Sequence, residues 1–339
     1  MPATSLSEYL IEKQKKLAHL NDGLVSVLVD LAEACKKTAH AVNQGALTHS
    51  LESLDSINVQ GEKQQALDVI SNDIFLAFAD QNKHVAGLVS EELPDVYFPH
   101  HLQSDADQFP AQRYLLAFDP LDGSSNVSLN ISVGSIFSVL PCPDAVQQPQ
   151  AQAFLQAGKH QVCAGYAMYG FSTMLVITLG DGVDCFTLDE TTDEFVLTSP
   201  EMKIPQDANE FAINMSHQRF WEPAMQRYVG ECLQGVEGVR KKDFNMRWVA
   251  SMVAEVHRIL VRGGVFMYPT DSKIKKQGGK LRLLYEANPM SFIVEQAGGA
   301  SSTAYERILD IIPDHIHQRV GVVLGAKHEV ELVNAYHNR

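Results

Sequence analysis

A chain of 339 residues, 45% hydrophobic and 20% charged, has the length to bury a large core in one big domain or two closely joined ones. Its 27 Lys and Arg against 41 Asp and Glu leave a net charge of −14, which excludes the broad basic footprint of a nucleic-acid binder and requires a local reversal of field wherever an anion is bound. No run approaches the roughly 18 consecutive apolar residues of a membrane span, and Cys35, Cys142, Cys163, Cys185 and Cys232, without a C-x-x-C pair, read as free thiols of a reducing cytoplasm.

The first twenty residues are polar, carry Lys13, Lys15 and Lys16, and lack the apolar centre of a secretory signal. Leu24, Leu28, Leu31, Cys35, Ala39 and Val42 then recur at helical spacing. Residues 43–64 are a polar, glycine-containing connection. Leu67, Ile70, Ile74, Phe75 and Phe78 trace a second helix, with Asp68 in its first turn, where an acid complements the helix dipole. Residues 85–89 form a short apolar strand that ends in Ser90-Glu91-Glu92. A polar linker follows, whose His100 and His101 have no partner at ligand spacing and read as surface residues.

The next strand, 114–118, is closed by Asp119-Pro120-Leu121-Asp122-Gly123-Ser124-Ser125-Asn126. Pro120 stiffens this turn, Gly123 lets it bend sharply, and two carboxylates stand three positions apart at or just past the strand tip. Carboxylates and inward-facing carbonyls converging on a small volume suit a hard divalent cation such as magnesium, held by a few acids and a substrate phosphate. The amides and hydroxyls of Gly123, Ser124 and Ser125 suit phosphate oxygens. An Asx-type turn would account for a lone D-x-x-D, but the whole octapeptide is a stronger signal. Glu91-Glu92 taken alone would likewise be solvated surface. Two successive strands ending in acid pairs point instead to a ligand at the carboxyl ends of an open α/β sheet, with a cation relieving the repulsion of neighbouring carboxylates.

Residues 132–140 read as a strand, and 141–161, with three prolines and many glutamines, as an exposed excursion. Strands at 162–170, 171–179 and 183–188 follow, with Gly180-Asp181-Gly182 as a hairpin turn. Thr198-Ser199-Pro200 interrupts the pattern and divides the chain into 1–200 and 201–339. Residues 211–214 form a strand ending in the amide of Asn214, and Trp248, Met252, Val256, Ile259 and Leu260 mark a helix preceded by Arg247. The strand 265–268 leads into Lys273, Lys275, Lys276 and Lys280 with Gly278-Gly279, a local positive patch in an acidic chain. The first three lysines read as a solvated loop. Glu286 precedes Asn288-Pro289, a helix cap and first helical residue, and Gly298-Gly299 stands at that helix's end. Residues 320–324 close the sheet before a C-terminal helix.

The octapeptide, Ser90-Glu91-Glu92 and the run Lys280-Leu281-Arg282-Leu283-Leu284-Tyr285-Glu286-Ala287-Asn288-Pro289-Met290 resemble the class I fructose-1,6-bisphosphatases, a branch of the magnesium-dependent, lithium-sensitive sugar and inositol phosphatases. D-P-x-D-G-[ST] specifies the superfamily, and K-L-R-L-L-Y-E points to the branch. The resemblance covers nearly the whole chain. It implies a layered α-β-α-β-α sugar phosphatase fold with two mixed sheets, and hydrolysis of the 1-phosphate of fructose 1,6-bisphosphate by a cytoplasmic homotetramer. It also implies two or three magnesium ions per subunit, with manganese as a substitute, held by Glu91, Asp119, Asp122, Glu286 and the Leu121 carbonyl. Glu62, on a mobile loop, would join the third metal, and Asp68 and Glu92 would help to take the proton of the attacking water.

The same resemblance assigns Asp122, Gly123, Ser124 and Ser125 to the reacting phosphate. Asn214 and Lys280 fall to the distal one, together with Arg247 reaching across a subunit interface, and Arg282, with Tyr268 as a lesser candidate, is kept for substrate phosphate. The sequence departs from the family in four places: Trp248 and His217 stand where relatives use tyrosine, Asn21-Asp22-Gly23 lacks the hydroxyls of an AMP-binding turn, and Pro141 replaces an arginine of that site, although Arg113-Tyr114 still resemble part of it. Weak or absent AMP inhibition is therefore expected. Two other activities fit the same pattern: a sedoheptulose 1,7-bisphosphatase, alone or as a second activity, and a catalytically silent sugar-phosphate-binding regulator.

Overall fold

The structure, a computed structural model, describes residues 4–45, 47, 53–57, 63–103, 110–143 and 149–338. Its frame is two mixed sheets. The first runs in chain order: β1 (Val85–Ser90), β2 (Tyr114–Asp122), β3 (Val133–Pro141), β4 (Cys163–Tyr169), β5 (Thr173–Thr178), β6 (Asp184–Asp189) and β7 (Glu194–Ser199). Only β1 and β2 are parallel; every other neighbour is antiparallel. The second comprises β8 (Glu210–Ile213), β9 (Asn245–Met246), β10 (Val265–Tyr268), β11 (Ala300–Ser302) and β12 (Val322–Gly325), in the order β9-β8-β10-β12-β11. Here β8 is parallel to both β9 and β10, and β12 is antiparallel to β10 and β11.

Helices fill the three layers around them. α1 (Leu6–Gln14), α2 (Asp22–Gln44) and α3 (Ala66–Gln81) cover the outer face of the first sheet, where α2 buries Leu24, Val27, Leu28, Leu31 and Cys35 and Phe75 of α3 stacks on Phe118 at 4.8 Å. α5 (Met252–Arg262) and α6 (Asn288–Gln296) lie between the sheets, and α4 (Pro223–Leu233) with α7 (Lys327–His337) covers the far face. A sandwiched element has no polar face: β2 is buried along its whole length and α6 from Asn288 to Val294. The core between the sheets joins Ile136 and Tyr166 to Val256 and Ile293, so apolar packing crosses residue 200 without interruption. Among the described residues no helix is long and apolar enough to cross a membrane, and the five cysteines are free thiols.

Three local expectations need correction. The strand expected to stop at residue 118 continues to Asp122 through a break in register between Asp119 and Asp122. Trp248 is not helical: Ser251 is the N-cap of α5, its Oγ accepting from the Ala254 N–H. Nor is Asn288 a cap: it is the first residue of α6, with Pro289 in the first turn as expected, and the chain is already wound into a π turn at Leu283–Ala287 that runs straight into that helix. α1, α4, β7, β9 and β11 also lie outside the elements expected from the sequence. β7 buries only Phe195, and α4 mixes polar residues with its apolar stripe of Met225, Tyr228, Val229 and Cys232.

Candidate functional site

Parallel pairing of β1 and β2 brings their carboxyl ends out side by side, Ser90 opposite Phe118, so the acids that follow them share one mouth. The Glu91 N–H donates to the Phe118 carbonyl at 3.2 Å and fixes that geometry. Residues three apart on a regular strand point to opposite faces. At the irregularity in β2 they need not, and Pro120, which has no N–H to lose, is the residue for it. Ser135 Oγ donates to the Pro120 carbonyl at 2.7 Å and is itself paired with the Tyr169 hydroxyl at 2.7 Å. Glu286 arrives from the π turn, a distortion that recurs at functional sites. Its Oε2 accepts the Arg282 N–H at 2.6 Å.

The result is a cluster in which ligand oxygens of Asp119, Asp122 and Glu286 lie within 4.8 Å of one another, all three residues buried; such a trio can hold a metal ion. Burial, reinforced by neighbouring carboxylates, pushes the Asp119 carboxyl well above its ordinary range, Asp122 to about 6 and Glu286 to about 8. Opposing this at Asp122 are the Val253 N–H and Ser251 Oγ, which donate to Oδ2 at 2.9 and 2.7 Å from the start of α5. Glu91 pairs with Arg282, Oε1 to Nη1 at 2.7 Å, and the same guanidinium stands 3.8 Å from Glu286. Arg282, expected at a substrate phosphate, is thus buried on the acidic wall while still lining the cleft.

These acids form one wall of a cleft of about 490 Å³. Asp68 and Glu92 line it too. Burial raises Asp68 to about 7, helped by the charges of Glu92 and Glu91 and opposed by the Gln65 N–H, 2.7 Å from Oδ2, and by Ser124. Leu121, Gly123, Ser124 and Ser125 complete this side. Gly123 has φ 77°, and a Cβ there would stand 2.7 Å from that of Ser251, so glycine is needed twice over.

The opposite wall comes from the second sheet and its loops: Asn214, Trp248, Phe266, Tyr268 and Lys280. Trp248 lies parallel to Phe266 at 6.0 Å and tilted to Tyr268 at 6.0 Å. Asn214 Oδ1 accepts from Ser216 Oγ at 2.7 Å. His217 stands behind this wall, Nδ1 3.1 Å from Asp271 Oδ2 and its ring edge-on to Tyr268 at 6.2 Å. Arg247 does not line the cleft; half exposed, it lies 3.7 Å from Glu210. Glu62 falls outside the described residues. Lys273, Lys275 and Lys276 are exposed, as a solvated loop should be. His100 is exposed and paired with Asp80.

Gln65, Ala250, Ser251 and Met252 also line the cleft and were not anticipated. A serine directly before Met252-Val253 is a readable N-cap signal. Its second bond, to Asp122, spans 129 residues and leaves no trace in local sequence.

Known proteins match this chain end to end. Residues 4–200 match the family model described as "Fructose-1-6-bisphosphatase, N-terminal domain", and residues 204–338 the corresponding C-terminal domain. The class 1 fructose-1,6-bisphosphatase of Halorhodospira halophila is 54% identical over 338 residues, 98% of each chain, and that of Methylobacillus flagellatus is 54% identical over 335 residues, 98% of this chain and 97% of its own. Among solved structures, Leishmania major fructose-1,6-bisphosphatase in holo form shares 34% identity with a TM-score of 0.90, each chain covered completely. That likeness matches the layered fold expected from the sequence.

Proposed function

Because the chain belongs to the class 1 fructose-1,6-bisphosphatase family, phosphoric monoester hydrolases of carbohydrate metabolism, we propose that it cleaves the 1-phosphate of fructose 1,6-bisphosphate with magnesium ions held by Glu91, Asp119, Asp122, Glu286 and the Leu121 carbonyl. The donor set fits a hard cation: buried carboxylate oxygens within 4.8 Å of one another, held above their normal pKa by burial and by one another's charge, which Arg282 only partly offsets. Manganese, with the same preference for oxygen, would substitute. Two or three such ions would acidify a bound water and stabilise the leaving oxygen of an in-line displacement.

The chain's own residues do the rest. Asp68 and Glu92 accept the proton of the attacking water, and a carboxyl poised near 7 can both take and release one. The backbone amides after Asp122, turned by the left-handed Gly123, orient the reacting phosphate with Ser124 and Ser125. Asn214, Tyr268 and Lys280 hold the other phosphate end, while Arg282, paired with Glu91, steadies the acidic wall.

Arg247, outside its own cleft, fits a role in a neighbouring subunit of a homotetramer; sedimentation velocity measures that assembly. Free thiols fit a cytoplasmic location, and two domains meeting near residue 200 fit the extents of the two family models. AMP should inhibit weakly or not at all. Pro141 is exposed and offers no guanidinium, while Asn21, which caps α2, gives its side-chain amide to the Tyr114 hydroxyl at 2.6 Å. A micromolar inhibition constant in an AMP titration contradicts this reading.

The observation that carries the proposal is the meeting, in one cleft, of a buried acidic wall with a phosphate-binding turn and a lysine. Phosphate release from fructose 1,6-bisphosphate should need added magnesium and stop with EDTA. Full release in EDTA overturns the metal assignment.

A further inference from the structure

Between Arg247 and the first turn of α5 the chain crosses the rim of the cleft in an unusual way. Ala250 sits at φ 62°, the left-handed region that an alanine occupies only against steric strain. Its neighbours hold it there. The Val249 N–H donates to Glu255 Oε1 at 2.6 Å, the Val249 carbonyl accepts from Asn126 Nδ2 at 2.9 Å, and Ser251 Oγ donates to Asp122. Strain that the surroundings over-determine marks a segment whose position matters.

Glu255 is the least expected member of this clamp. It is a completely buried carboxylate facing the rim from within α5, and its other oxygen, Oε2, takes the Arg258 fork, Nε at 3.2 Å and Nη2 at 3.0 Å. Arg258 Nη1 continues to Glu210 Oε2 at 2.9 Å, and Glu210 Oε1 faces Arg262 at 2.5 Å and Arg247 at 3.7 Å. A single chain of two buried carboxylates joined by the part-buried Arg258, Glu255-Arg258-Glu210, therefore ends on both sides of Trp248: at the Val249 amide and at the Arg247 guanidinium. Buried charges are costly unless paired and are best attested where they specify one arrangement.

We propose that Glu255 is a positioning residue for sugar-phosphate binding, setting the backbone of residues 248–251 against the phosphate turn and, through Arg258 and Glu210, aiming Arg247. The inference rests on the activity proposed above. It assigns Glu255 no contact with substrate or metal.

The test compares Glu255→Ala and Glu255→Gln with the intact enzyme. The amide oxygen of glutamine can still accept the Val249 N–H but cannot pair with Arg258 as a charge. KM for fructose 1,6-bisphosphate should rise about tenfold in Glu255→Ala and by a smaller factor in Glu255→Gln, with kcat within about threefold, the signature of lost ground-state and transition-state binding together. Magnesium affinity by calorimetry should stay unchanged. A readout independent of turnover is Trp248 fluorescence: Trp221 and Trp248 are the two tryptophans of the chain, so in a Trp221→Phe background the quench on adding fructose 6-phosphate should need about ten times more ligand, one factor of ten in Kd.

Unchanged KM and quench in folded Glu255→Ala overturn the proposal. So does a loss of kcat alone. If Glu255→Ala does not fold, Glu255→Gln decides, and wild-type KM with a wild-type quench in that variant overturns it. An intact enzyme that releases no phosphate with magnesium instead refutes the activity, a separate result.

Discussion

The two walls of the cleft are opposites in how they are built. The acidic wall is made of strand ends, a bulge and a π turn, and its charged groups are buried: Asp119 is 2% exposed and Glu286 3%. The wall from the second sheet is aromatic, with Lys280 half-buried in a loop and Arg247 set aside altogether. One wall repels itself until cations join it, and the other waits for an anion. Chemistry and substrate affinity are therefore separable, one to each wall, and mutations should sort accordingly.

The largest effect should come from the acidic wall. Asp119→Ala removes one oxygen pair from the cluster and should cut kcat by roughly 10³-fold or more, beyond the tenfold to hundredfold typical of groups that merely orient a ligand. Phosphate release at saturating magnesium checks it, and near wild-type turnover breaks the comparison. On the other wall, Lys280→Met should raise KM for the bisphosphate about tenfold and leave kcat nearly alone, as loss of uniform binding does. Lys275→Met, a few residues away but solvated, should change neither constant measurably. Equal effects from the two lysines would mean that a diffuse field, not a placed charge, draws the substrate in.

The walls also differ in how far the sequence discloses them. Asp119, Asp122, Gly123, Ser124 and Ser125 are contiguous and follow an apolar strand, so local spacing suffices to group them. Glu91 belongs with them because parallel strands end together, a rule of topology. Glu286, Asn214 and Lys280 have no such warrant from spacing; the family resemblance supplied them, and only the meeting of a π turn with β2, and of the second sheet with the first, explains why they converge. The π turn itself was hidden, since Asn288-Pro289 is as good a signal for a helix start as any, and Leu283–Ala287 looks like ordinary strand. Trp248 stands four residues before Met252 and so imitates a position on the face of α5, although Ser251 between them is the better boundary signal. Long-range bonds such as Ser251 to Asp122 and Asn126 to Val249 are what no window of residues could contain.

The smallest expected effect tests the self-repulsion of the acidic wall directly. In the metal-free protein Asp122 holds its proton to about 6, Asp68 to about 7 and Glu286 to about 8. An unfolded chain releases the same protons near pH 4. Folded pKa values raised in this way contribute stability that is fully present below the unfolded values and lost as pH rises through about 6 to 8. Metal binding needs the carboxylates deprotonated, so affinity runs the other way and weakens as pH falls through the same window. The rise in melting temperature on adding magnesium should therefore be a few degrees larger at about pH 8.5 than at about pH 6, and Asp119→Ala should flatten the difference. The same measurement with fructose 6-phosphate alone should show little of this dependence, because the wall that binds it has Lys280 rather than clustered acids. A magnesium shift independent of pH would mean that Arg282, paired with Glu91 and close to Glu286, already neutralises the wall without any metal.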